Sequence, residues 1–150
     1  MALFDVISED IKKAMIAKDK VALEALRGVK KEFLEAKTAK GASGELADDA
    51  ALKILQKMVK QRKESAQIFT EQNRPELAQN ELAEAAVIEK YLPAKLSDAE
   101  LEAEIKAIIA EVGAKTAQEM GKVMGVATKK LAGKADGKEI SAMVKALLNS

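Results

Sequence analysis

Cysteine, histidine and tryptophan are absent from this 150-residue chain, and aromatic residues make up 3% of it. Without cysteine there is no disulfide framework and no thiolate nucleophile. Without histidine the imidazole base of a hydrolytic triad is missing, and the two absences together remove the usual ligands of structural zinc. So few aromatics do not suit a strand-rich sandwich. Proline occurs twice and glycine eight times, so little in the chain breaks helices. No apolar run approaches the roughly 18 residues of a membrane span. The opening Met1-Ala-Leu-Phe-Asp-Val-Ile-Ser-Glu-Asp10 carries acids inside its apolar stretch and no basic leader, so a soluble cytoplasmic protein is expected.

What remains is 48% hydrophobic and 33% charged, with 25 basic against 24 acidic side chains and a net charge of +1. That mix suits a folded helical protein of one ordinary domain or two small ones. Any attraction to a polyanion must then come from local segregation of charge.

Apolar positions recur at helical spacing along the whole chain. Leu3, Ile7, Ile11 and Met15 form a first stripe, which Asp19 closes while capping the next helix. Leu23, Leu26, Val29 and Phe33 follow between Lys20 and about Lys40, before the loop Gly41-Ala-Ser-Gly44. Asp48 or Asp49 caps a long helix with Leu52, Leu55, Met58, Val59, Ala66 and Phe69 on its buried side, ending near Asn73. Pro75 suits the first position of a fourth helix, carrying Leu77, Leu82, Ala85 and Ile88 up to Tyr91-Leu92. Beyond Pro93, three helices each open with a cap residue followed three positions later by glutamate: Ser97 with Glu100, Thr116 with Glu119, Asp136 with Glu139. Their stripes are Leu101, Ile105, Ile108, Val112; Met120, Val123, Met124, Ala127, Leu131; and Ile140, Val144, Leu147, with Gly113 and Gly133 placed to end the first two. We expect an all-α protein, with a four-helix domain over 1–93 and a small three-helix domain over 94–150.

Carboxylates are plentiful, but the pattern explains them as caps or solvated helix faces, and no catalytic residue, metal ligand or cofactor-binding residue is expected. Gly133-Lys-Ala-Asp-Gly137-Lys138-Glu139 is not a phosphate loop: three residues separate its glycines instead of four, and Glu139 stands where Ser or Thr would hold magnesium. Charge within the tail is more informative. Residues 98–111 hold five acids and one lysine, whereas 115–138 hold six lysines and two acids. Lys122, Lys129 and Lys130 fall on one expected helix, and Lys134 and Lys138 flank the loop into the last one. An ordinary solvated lysine face explains the same pattern. Gly121 and Gly125 lie on one face of the same helix, each costing about 1 kcal/mol relative to alanine. Close helix packing is the first explanation for them, and approach of a nucleic-acid backbone the second. No aromatic follows Tyr91, so stacking of splayed bases is not expected in the tail. A second basic stretch, Lys53, Lys57, Lys60, Arg62 and Lys63, lies on the third helix; spacing groups the first three, while Arg62 and Lys63 point elsewhere.

Four ordered motifs, Lys60-Gln-Arg-Lys-Glu-Ser65, Glu89-Lys-Tyr-Leu-Pro93, Met120-Gly-Lys-Val-Met-Gly125 and Gly133-Lys-Ala-Asp-Gly-Lys138, resemble the YqeY family across nearly the whole chain. The resemblance implies a two-part helical protein similar to the C-terminal helical and tail regions of GatB, a subunit of the glutamine-dependent amidotransferase acting on aminoacyl transfer RNA. It implies that the tail engages the elbow of transfer RNA through Gly121, Lys122, Gly125, Lys134 and Lys138; Lys129 and Lys130 join them on charge pattern alone. The amidotransferase's catalytic cradle has no room here and no amidase signature is present, so catalysis by this chain alone is not expected. Two readings stand: a noncatalytic module binding transfer RNA, or an adaptor docking on a helical partner such as an amidotransferase or a synthetase, with Met120, Met124 and Met143 in an adaptable groove. A third possibility is participation as an auxiliary part of a carbon-nitrogen ligase complex with glutamine as amido donor, which requires partners absent from this chain.

Overall fold

Asp19 separates the first two helices as its chemistry dictates. In the computed structural model, which describes residues 2–39, 41 and 44–149, α1 (Leu3–Ala17) ends with Lys18 in the left-handed region, and the Asp19 side chain accepts a hydrogen bond from the Ala22 N–H at the start of α2 (Lys20–Thr38). α3 (Asp48–Glu71) and α4 (Pro75–Glu89) follow, then α5 (Asp98–Val112), a short 3-10 turn (Ala117–Glu119), α6 (Met120–Lys130) and α7 (Gly137–Leu148). The protein is all-helical, with no strand among the described residues. Lys40, Ala42 and Ser43 of the expected second-helix end and loop lie outside the described residues; Gly41 and Gly44 both take positive φ. Among the described residues no helix is long and apolar enough to cross a membrane.

The chain divides into two compact units, Met1–Leu92 and Pro93–Ser150. In the first, Ile7, Val29, Phe33, Leu55 and Ile88 are fully buried. Alanines on both α3 and α4 (Ala51, Ala66, Ala78, Ala85) are buried as well, and such small residues allow two helices of a hairpin to approach closely. Three expected core positions are exposed instead: Met15 (53%), Leu77 (38%) and Leu82 (49%). Ala14 takes the buried place at the end of α1, and α4 turns inward the stripe Ala78, Ala85, Ile88, with the carboxylate of Glu84 beside it. Helix α4 stops at Glu89, short of the expected Tyr91-Leu92.

Asp48 does not cap α3. The N-cap is Ala47, without a side-chain bond, and Asp48 Oδ1 instead accepts from the Leu3 N–H at 3.2 Å, satisfying an orphan donor of α1. Tyr91 closes the unit from the other end, its hydroxyl donating to Asp10 at 2.5 Å.

The second unit buries Leu101, Ile105, Ile108, Val123, Ala127, Leu131, Ile140 and Val144 in one cluster. Of its three expected capping boxes only that of Ser97 and Glu100 has both arms. At the second, the 3-10 turn intervenes before α6, and Glu119 Oε1 accepts from Lys115 N at 3.2 Å and from the Thr116 hydroxyl at 3.5 Å. At the third, Asp136 accepts from Lys138 N at 3.4 Å, whereas Glu139 is engaged by Lys95. Gly113 ends α5 in the left-handed region, and Gly133, also at positive φ, turns the chain after α6.

Candidate nucleic-acid interface

Helix α6 contains three lysines, two glycines and no carboxylate. Its apolar stripe fixes its orientation: Val123 and Ala127 are buried, and Met120 and Met124 pack partly buried against the same core. The opposite side must then face solvent, and it carries Gly121, Lys122, Gly125 and Lys129, all exposed. At roughly 100° per residue these four fall within an arc of about 100°.

Among the described residues of the second unit, nothing packs on these glycines. A Cβ built on Gly121 or Gly125 meets nothing within 4 Å, and neither residue has positive φ. Neither packing nor backbone conformation requires glycine there, so the helix carries a strip of bare backbone open to solvent, bordered by two ammonium groups.

The remaining tail lysines divide. Lys130, half a turn away from Gly121, donates to Glu111 of α5 at 2.6 Å. Lys129 and Lys130 also occupy the last turn of α6, where positive charge suits the helix dipole. Lys134 and Lys138 are exposed in the loop and first turn leading into α7, interleaved with Asp136 and Glu139. Of the expected basic surface, Lys122 and Lys129 share the exposed face of α6, Lys130 is paired with Glu111, and Lys134 and Lys138 stand among carboxylates at the α7 entry.

Lys95, which the charge pattern alone did not single out, borders that entry: its Nζ lies 3.0 Å from Glu139. The Glu139 carboxylate holds the Lys95 ammonium proton more tightly than usual, with Asp136 and Asp98 adding smaller contributions. The sequence signal for it was slight, a lysine two residues before the Ser97 cap.

On α3, Lys53, Lys57 and Lys60 are exposed and share a helical face by spacing. Arg62 turns toward α4, 2.9 Å from Glu84 and 3.6 Å from Glu81, and Lys63 pairs with Glu89. Glu84 is 7% exposed, and burial pushes its carboxyl above the usual range, Arg62 opposing the shift while Glu81 and Glu24 add to it. Arg62 therefore belongs to the packing of the first unit. Among the described residues no group of three or more carboxylates is arranged to hold a metal ion.

Residues 4–148 match the family described as Yqey-like protein. The chain is 34% identical over 118 residues to "Altered inheritance of mitochondria protein 41, mitochondrial" of Clavispora lusitaniae, covering 77% of this chain and 68% of that protein. It is 33% identical over 113 residues to the protein of the same name in Lachancea thermotolerans, covering 71% and 57%. In Meyerozyma guilliermondii the corresponding figures are 40% over 94 residues, 61% and 47%. The chain thus spans from about half to two thirds of the length of these fungal relatives. With a match running from residue 4 to residue 148, the chain belongs to the YqeY-like family.

Proposed function

We propose that this protein is a noncatalytic RNA-binding module whose ligand is transfer RNA. One observation carries the reading: the bare strip at Gly121 and Gly125, flanked by Lys122 and Lys129 on a helix without a carboxylate. Two missing side chains let a sugar-phosphate backbone come close to the helix, and the flanking ammonium groups supply the attraction. Backbone charge provides affinity, while the shape of a folded RNA provides selectivity, because the second unit has no aromatic residue for stacking bases. The resemblance of the motifs to the GatB tail supports transfer RNA over other folded RNAs and makes an amidotransferase or a synthetase the partner class to test.

The adaptor reading has less support. Met120, Met124 and Met143, which would line an adaptable groove, are packed partly buried against the C-terminal core. A cytoplasmic location is part of this proposal; the fungal relatives carry "mitochondrial" in their names, and imaging of the tagged native chain decides the compartment. The RNA reading is tested by native-gel shift of bulk transfer RNA. A shift at low salt that is lost at high salt is expected. No shift at low salt, or one that survives high salt, overturns it.

A further inference from the structure

The first residues of the second unit are fastened to the entry of α7. The Leu96 N–H donates to the Lys134 carbonyl at 2.9 Å, and the Leu96 side chain packs against the C-terminal core. This anchoring brings Lys95 to Glu139, the third residue of α7, at 3.0 Å. Fold stability gives little reason for the pair. Both side chains are well exposed, at 69% and 38%, a setting in which ion pairs contribute little, and a carboxylate in the first turn of a helix is already favoured by the helix dipole.

Local charge gives a better reason. Without Lys95, the ammonium groups of Lys134 and Lys138 would share this end of the unit with three carboxylates, those of Asp98, Asp136 and Glu139. That surplus of negative charge would repel a phosphate backbone crossing from the α6 face, which leads directly into this loop. Adding Lys95 makes the count even. We infer that Lys95 is a positioning residue of the RNA interface, holding the Glu139 carboxylate neutralised so that Lys134 and Lys138 remain available to phosphates. This inference rests on the RNA reading above.

The experiment measures binding of bulk transfer RNA to the full chain at low salt for the wild type, Lys95→Gln and the double variant Lys95→Gln/Glu139→Gln, with thermal melts of each. Lys95→Gln is expected to weaken binding about threefold to tenfold with an unchanged melt, and the double variant to recover most of the loss. If the wild type binds and Lys95→Gln binds equally well, this inference falls while the RNA reading stands. If the double variant stays as weak as Lys95→Gln, the screening role is equally overturned. If the wild type does not bind, the RNA reading falls first and takes this one with it.

Discussion

Arg62 sits where three helices of the first unit come together. Its guanidinium lies between the two carboxylates of α4 at Glu81 and Glu84, and a Cβ at Gly28 would stand 3.4 Å from its Nη2, so α2, α3 and α4 all meet it. Arg62→Met strands a buried carboxylate and is expected to cost about 2 kcal/mol, below the usual range for a fully buried pair because solvent still reaches this one. The pH dependence follows from the direction of the shift. Glu84 already titrates above its unfolded value, so the folded state binds the extra proton, and stability falls as pH rises from the unfolded pKa through the folded one. Removing Arg62 takes away the main opposing influence and pushes the carboxyl higher. Urea unfolding should therefore show a smaller loss for Arg62→Met at pH 5 than at pH 8. Tyr91 behaves in a related way at the other extreme of pH. Burial first, then its bond to Asp10, raise its pKa, so its contribution is complete below the unfolded value near 10 and fades as pH rises through the folded one. Tyr91→Phe should cost about 1–2 kcal/mol at neutral pH, and alkaline unfolding followed by circular dichroism should show the variant losing less stability above pH 10 than the wild type.

At the scale of elements, α6 gives the sharpest prediction. Gly121→Ala and Gly125→Ala place a methyl group in open space on a regular helix, so each should raise stability by about 0.5–1 kcal/mol in urea unfolding. RNA affinity should fall in the same variants if the bare strip receives a backbone. A loss of stability would mean that the glycines serve packing after all. The helices themselves were legible in the sequence because periodicity integrates over many residues: Val29 and Phe33, or Ile105 and Ile108, are buried where their spacing put them. End chemistry was less legible because a side chain at a helix start has several partners within reach. Asp48 bonds to Leu3 across 45 positions, and Glu139 chooses Lys95 over the backbone of its own helix. The candidate site was legible as a charge imbalance and a glycine spacing on α6. Its limits were not, because whether Lys130 meets Glu111, or Arg62 meets Glu84, depends on which helices become neighbours.

For the whole molecule, net charge is no guide to a polyanion, since +1 spread over the chain gives almost no long-range field. Binding of a polyanion must instead come from a local cationic face on the second unit, with Lys122 and Lys129 as its main charges. Phosphate contacts of that kind leave a defined signature, because each displaces bound counterions and steepens the salt dependence by about one unit on a log–log plot. The most direct test is the slope of log affinity against log salt for bulk transfer RNA, measured for the wild type and for Lys122→Glu/Lys129→Glu. A clearly negative slope for the wild type, made shallower by about two in the variant while its thermal melt is unchanged, is the predicted result. Equal slopes and equal affinities for the two proteins would contradict the account.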